Sequence, residues 1–284
     1  MLRPTLPRIG RSLRSHRRSL HSIPPLIHEY RTTGVPEFLS AEGFNIAWTQ
    51  YQSLMVDRLN ALTAGGDYEN KSPKDILLKY ARDPNTAATF NYASMAHNNH
   101  FFFSCLSPQP TMIPPQLKQG LEASFSSMET LQREFIVTAS AMFGPGFVWL
   151  MKSKDEKFSL LTTYLAGSPY PGAHYRKQTV DFNTESNATG TQGVSGAIRD
   201  RWASQPVNTA GAFGQHSQKQ ISPGGIDISP VLCLNTWEHV YLRDYGVGAA
   251  GQGGKKVFAS NWWHRIDWNV VHENAYGRKP AMYG

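Results

Sequence analysis

The amino-acid sequence predicts an α+β fold, with helices first and strands and further helices after them. Two patterns support this prediction. Apolar residues recur at helical spacing through most of residues 41–142. From Gly146 onward, the spacing changes to the alternation and short apolar runs that are typical of strands. In one chain of 284 residues, this order is typical of the α+β class.

The first long helix is predicted over residues 41–62. Ser40 is a residue type that caps helix N-termini, and Glu42 puts a negative charge in the first turn, where the helix dipole favours it. Apolar residues then follow at spacings of three and four: Phe44, Ala47, Trp48, Tyr51, Met55, Leu59 and Leu62. Further helices are predicted over residues 73–80, over 86–104 and, as a pair, within 116–142.

The strands begin with a predicted β-hairpin, in which GFVWLMK and FSLLTTYL flank the polar turn SKDEK. A third strand, PVLCLN, is predicted from Pro230. A helix is predicted over residues 256–270, after the Gly-rich loop 246–254.

Residues 170–226 differ in composition from the rest of the chain. They are rich in Gly, Ser, Thr, Asn and Gln, poor in aliphatic residues, and contain five basic and three acidic residues. Such a segment buries too little apolar surface to fold alone. We therefore expect a low-complexity insertion that is disordered or becomes ordered only against a partner.

The positive charge is concentrated at the N-terminus. The whole chain has a formal net charge of +7, but residues 1–28 contain six arginines and no acidic residue. The remainder has 22 Lys and Arg against 21 Asp and Glu. The Arg- and Ser-rich composition predicts a mitochondrial transit peptide over residues 1–21 and a location in the matrix. The alternative is a basic arm that binds RNA.

Two further classes are excluded by composition. No window of 18 apolar residues is present, so no membrane span is predicted. Cys105 and Cys233 are too few for a disulfide-rich scaffold or a four-cysteine zinc site, and we expect two buried free thiols, although one disulfide remains open.

Six blocks of sequence resemble the iron/manganese superoxide dismutase family in order and spacing. They are IPPLIHEY (23–30), SAEGFNIAWTQYQSLMVDRLNAL (40–62), FNYASMAHNNHFFFSCLSP (90–108), FGPGFVWL (143–150), NTWEHVYLRDY (235–245) and WWHRIDW (262–268). The resemblance implies a helical hairpin domain over residues 22–110 and an α/β domain over 111–284. The second domain would contain a three-stranded antiparallel sheet with helices.

The resemblance also implies that the metal site of the family is lost. The family binds one redox metal through three histidines and one aspartate, which in this chain fall on Ala47, Asn99, Asn235 and His239. Only His239 is retained. One imidazole and two neutral amides do not form a site that holds iron or manganese. We therefore expect no metal, no cofactor and no catalytic residue.

Residues around the lost site have changed in the same direction. The gateway histidine and tyrosine of the family fall on Tyr51 and Met55, and the glutamine of the iron enzymes falls on Met95. We expect this surface to pack as core. His97 and His100 offer an alternative metal pair, but their i, i+3 spacing alone is weak evidence, and a structural role is favoured.

The retained Glu238 and His239 suggest an interface. In the family, this glutamate reaches the ligand histidine of the partner subunit, so its presence implies that a dimer interface persists. The other interpretation is inheritance of a stable buried ion pair.

These features together resemble the metal-free dismutase-like proteins of the fungal mitochondrial small ribosomal subunit, which pair as a heterodimer. The resemblance implies a structural role with ribosomal proteins and a paralogue as partners, and limited rRNA contact, for which Arg199, Arg201, Lys255 and Lys256 are candidates. Two other hypotheses are an active mitochondrial dismutase with rearranged ligands and a pseudo-enzyme that regulates a true dismutase subunit.

Overall fold

The computed structural model describes residues 21–81, 83–170, 173–174 and 228–277. The predicted transit peptide, apart from His21, lies outside the described residues. So does nearly all of the low-complexity insertion, including Arg199 and Arg201.

The predicted helix over residues 41–62 is one continuous run with a π-helical segment inside it. Helix α1 (Ala41–Phe44) passes into a π-helix (Asn45–Gln50) and then into α2 (Tyr51–Thr63). The Ser40 hydroxyl accepts a hydrogen bond from the Gly43 amide at 2.9 Å, which confirms the predicted cap. The π-helix, which the sequence did not predict, contains Ala47.

The remaining N-terminal helices agree with the prediction. They are α3 (Pro73–Tyr80), α4 (Ala87–Ser104), α5 (Pro115–Phe125) and α6 (Met128–Ala141). Helix α4 packs against both α2 and α3, so α2 and α4 form the helical hairpin.

The three predicted strands form one antiparallel sheet in the order β2-β1-β3. Strands β1 (Gly146–Ser153) and β2 (Phe158–Tyr164) form the hairpin, and β3 (Ile228–Asn235) pairs with the other edge of β1. Asn235, the last residue of β3, lies opposite Phe147. It therefore ends the strand at the start of the central, buried β1.

Between β3 and residue 277, the last that the structure describes, the chain forms three α-helices and a 3-10 turn (Ala249–Gly251), so the single helix predicted over residues 256–270 is wrong. Helices α7 (Glu238–Tyr245), α8 (Gly254–Trp263) and α9 (Trp268–Tyr276) follow β3. The chain breaks between α8 and α9 because Asp267 caps α9: its carboxylate accepts from the Asn269 amide at 3.0 Å. The backbone at the break also pairs with the end of α4, since the Asp267 amide donates to the Cys105 carbonyl at 2.8 Å.

The larger of two hydrophobic cores in the described residues joins the helices to the sheet, and the smaller lies between α2, α3 and α4. The largest fully buried side chains of the larger core include Trp149 on β1, Phe135 on α6 and Trp262 on α8. Cys105 and Cys233 are both buried and free, as expected. Among the described residues, no helix is both long enough and apolar enough to cross a membrane.

Replacing Trp149 with alanine tests the core. Its ring is fully buried, and its indole N–H donates to the Thr163 hydroxyl at 2.9 Å. We expect Trp149→Ala to lower the free energy of unfolding by about 3–5 kcal/mol in urea titrations. The control Val137→Ala changes a side chain that is 60% exposed on α6, and it should stay within about 0.5 kcal/mol of the wild type. Equal losses in the two variants would contradict this core.

Candidate functional site

The four positions that correspond to the metal ligands of the family lie at the junction of the helical hairpin and the sheet. Ala47 lies in the π-helix, Asn99 on α4, Asn235 at the end of β3 and His239 in the first turn of α7. Ala47, Asn99 and Asn235 are fully buried. The fold therefore brings together the residues that the sequence comparison selected.

Three buried amide side chains, Gln52, Asn99 and Asn235, form a continuous hydrogen-bonded chain, here called the amide relay. The Asn235 Nδ2 donates to Asn99 Oδ1 at 3.2 Å. The Asn99 Nδ2 donates to Gln52 Oε1 and to the Ala47 carbonyl, each at 3.1 Å. Both asparagines are thereby occupied by protein partners.

The ends of the amide relay are fixed to the backbone. The Trp237 amide, just before α7, donates to Asn235 Oδ1 at 2.9 Å. At the other end, Gln52 Nε2 donates to the Ala96 carbonyl in α4 at 2.9 Å. The amide relay thus runs from the end of β3 to α4 and α2, with a donor and an acceptor satisfied at every side chain.

Gln52 is the member of the amide relay that the sequence analysis missed. A polar residue that shares the core-facing side of a helix with Met55 and Leu59 was the available signal, because a buried amide requires partners. The sequence does not show which partners these are.

His239 lies beside the amide relay but is not part of it. Its ring stacks on Tyr51, with 3.8 Å between the ring centroids and 15° between the planes. The buried Nε2 has no hydrogen-bond partner among the described residues. Burial lowers the pKa of His239 to about 4, so the imidazole is neutral near pH 7.

The residues at this junction do not fit a redox metal. Ala47 has no donor atom, and both asparagine side chains are committed to the amide relay. No group of three or more His, Cys, Asp or Glu side chains with metal-binding spacing occurs in the part of the chain that the structure describes. A single imidazole nitrogen is too few ligands for a catalytic iron or manganese site.

The residues that replace the gateway and the glutamine of the iron enzymes are packed. Met55 and Met95 lie in the core, with 6% and 4% of their surface exposed. Tyr51 covers one face of His239, and burial raises the pKa of its phenol above the usual value. The junction is therefore filled by side chains.

His97 and His100 do not act as a pair. The His97 ring nitrogen Nε2 lies 2.7 Å from the Tyr170 hydroxyl, and the His100 ring packs against Trp48. Burial is the main cause that lowers the pKa of His97, to about 3. Each imidazole therefore contacts an aromatic side chain of the protein, which agrees with the structural role favoured above.

The remaining predicted contact residues lie near α7 and α8. Glu238 is half-buried in the first turn of α7, beside Trp237. The ammonium group of Lys255 donates to the Met142 and Gly144 carbonyls at 3.0 and 2.9 Å, so two of its three N–H groups are used within the protein. Lys256 is exposed.

The half-buried His97 predicts a pH dependence of stability. The unfolded chain binds a proton at the ordinary imidazole pKa of 6.5, whereas the native His97 does so only near pH 3. Stability therefore falls as the pH decreases from 6.5 towards 3, by about 1.4 kcal/mol per pH unit for each proton that only the unfolded state binds.

We expect His97→Gln to reduce this slope by about one proton. Urea unfolding between pH 4.5 and 6.5 measures the slope. His264→Gln, the same substitution at an exposed position, is the control variant. An unchanged slope in the His97 variant would show that its imidazole titrates alike in both states.

Comparison with known proteins gives a consistent assignment. Residues 113–182 and 181–274 match the family model described as the C-terminal domain of iron/manganese superoxide dismutases. The chain is 34% identical over 238 residues to a superoxide dismutase [Fe] of Helicobacter pylori, which covers 84% of this chain and 81% of the relative.

Two fission yeast proteins are also similar. The small ribosomal subunit protein mS43 of Schizosaccharomyces pombe is 27% identical over 262 residues, with 89% of this chain and 83% of the relative covered. The small ribosomal subunit protein mS42 of the same organism is 30% identical over 208 residues, with 70% and 72% covered. Since the family model spans more than half of the sequence, the chain belongs to the iron/manganese superoxide dismutase family.

Proposed function

We propose that this protein is a structural component of the mitochondrial small ribosomal subunit and not a dismutase. The observation that carries the proposal lies at the junction of hairpin and sheet: two of the four ligand positions are occupied by asparagines that bond within the amide relay, and a third is Ala47. The similarity to mS43 over 89% of this chain and to mS42 supports the ribosomal role. The Arg-rich N-terminal composition supports a mitochondrial location, and we propose the matrix.

A surface beside α7 is suited to a protein partner. Phe143 is 98% exposed on the loop between α6 and β1, and Leu165 beyond β2 is 59% exposed. The Leu165 amide donates to the Pro145 carbonyl at 3.0 Å, so these two segments are adjacent. Trp237 joins them, since its indole N–H donates to the Leu165 carbonyl at 3.3 Å.

This pairing surface is formed by Phe143, Leu165, Trp237, Glu238 and His239, and hydrogen bonds within the protein anchor its backbone. The two hydrogen bonds from Lys255 to the Met142 and Gly144 carbonyls fix the loop that presents Phe143. Apolar side chains on a preorganised backbone lose little conformational entropy on association. We propose that a dismutase-like paralogue binds here, with Glu238 and His239 at the centre of the contact.

Electrostatics favour protein contacts over a dominant RNA contact. The described residues carry 14 Lys and Arg against 17 Asp and Glu, so this part of the molecule is slightly acidic. Binding to phosphate groups requires clustered positive charge. We propose that rRNA contact is limited to local basic residues, of which Lys256 is exposed and Arg199 and Arg201 lie outside the described residues.

Fractionation of mitochondria tests the ribosomal role. We expect the tagged full-length chain to sediment with small-subunit rRNA in a sucrose gradient and to shift with that rRNA when EDTA dissociates the ribosome. A matrix enzyme of similar size is the control and should stay near the top. Sedimentation at the size of a dimer would contradict the proposal. So would one iron or manganese per purified chain with superoxide turnover.

Substitutions on the pairing surface test the paralogue contact. We expect Phe143→Ser and Glu238→Gln each to reduce co-purification of the paralogue with the tagged chain at least about tenfold, because interface anchors contribute 1–2 kcal/mol or more. Met112→Ser alters an equally exposed apolar residue (90%) on the segment between α4 and α5, and it serves as the control. Equal recovery from all three variants would place the contact elsewhere, without bearing on sedimentation with the ribosome.

A further inference from the structure

We propose that the amide relay takes the structural place of a metal ion, so that hydrogen bonds between side chains, added to the hydrophobic core, join the helical hairpin to the end of β3. The amide relay links three elements that are distant in sequence, namely α2, α4 and the end of β3. Its three side chains are at most 1% exposed. The proposal concerns folding of the chain itself and does not depend on the ribosomal role.

The amide relay has a direction. The Trp237 amide donates to Asn235, Asn235 donates to Asn99, Asn99 donates to Gln52, and Gln52 donates to the Ala96 carbonyl. Each side chain therefore acts as acceptor on one side and donor on the other. Such chains polarise each member in the same sense, which strengthens the bonds in a buried site of low dielectric constant.

This direction fixes the residue type at each position. An aspartate at 235 would still accept from the Trp237 amide, but it could not donate to Asn99 Oδ1. Two oxygen atoms would then face each other about where the 3.2 Å hydrogen bond now lies, and one would carry a buried charge. Restoring one ligand residue of the family by a single substitution is therefore unfavourable, because each hydrogen bond of the amide relay needs a donor on one side chain and an acceptor on the next.

A neighbouring asparagine provides a matched control. Asn98 is also fully buried on α4, but its Nδ2 donates to the Gly167 carbonyl at 2.9 Å and its Oδ1 accepts from the Ser168 hydroxyl at 2.8 Å. It holds the segment after β2 and shares no partner with the amide relay. A general cost of removing a buried asparagine can therefore be separated from coupling within the amide relay.

A double-mutant cycle on the purified full-length chain tests the proposal. We expect Asn99→Ala and Asn235→Ala each to lower the folding equilibrium constant about 10- to 100-fold in urea titrations. The double variant should lose far less than the product of the two losses, because either substitution already breaks the amide relay. Asn98→Ala combined with Asn235→Ala should lose the full product. Multiplicative losses for the pair Asn99 and Asn235 would overturn the proposal.

The link to metal is tested on the same samples. We expect the urea midpoint of the wild type to be unchanged by EDTA and by added Mn²⁺ or Fe²⁺, and Asn235→Asp to lower it without a gain from either ion. A rise of the wild-type midpoint with metal would show that an ion supports this junction.

A measurement on the wild-type protein tests the proposal even if the variants fail to fold. The Trp237 backbone amide should exchange its proton only as fast as the whole protein unfolds, since it donates into the amide relay. Exchange that is much faster than global unfolding would mean that the amide relay opens on its own, and it would overturn the proposal.

Discussion

A buried amide group is costly unless each of its N–H and C=O groups has a partner, and this requirement governs the centre of the protein. Asn99 and Asn235 are fully buried where the helical hairpin meets the sheet. They meet the requirement by pairing with each other and with Gln52. These bonds connect α2, α4, the end of β3 and the residue before α7.

The proposed loss of metal chemistry and the preserved fold have the same physical explanation. A metal site requires several ligand atoms directed at one point, whereas the amide relay directs the same side chains at one another. His239 illustrates the change, because its Nε2 is buried without a partner among the described residues while its ring stacks on Tyr51. The imidazole remains as a packed, neutral ring and has no ligand companions.

The pairing surface beside α7 is also anchored by hydrogen bonds within the protein. The sequence made Lys255 a candidate for rRNA contact. In the structure, its ammonium group donates to two carbonyls of the loop that carries Phe143. An exposed aromatic side chain on a fixed loop suits a protein partner, and the balance of charge on the described residues agrees with that preference. Scaffold and contact surface are thus parts of one packed structure.

Local signals allowed much of the fold to be predicted. The Ser40 cap, the hairpin around the polar turn and the helices over 73–80 and 86–104 depend on neighbours in sequence, and the structure contains all of them. The single helix over 256–270 was wrong because periodicity extends across the break. The helix nevertheless breaks there, because Asp267 caps the next helix and its amide donates to the Cys105 carbonyl. The second of these contacts exists only in the folded chain.

At the site, the residue types alone show which ligand groups are lacking, because the Ala47 side chain has no ligand atom in any fold and asparagine carries no charge. The partners of the remaining polar atoms are set by the folding of the chain. Gln52 and Asn99 are 47 residues apart, and Asn99 and Asn235 are 136 residues apart. Packing of α2 and α4 against the end of β3 brings them within hydrogen-bond distance, and no local pattern specifies which of many polar residues will meet there.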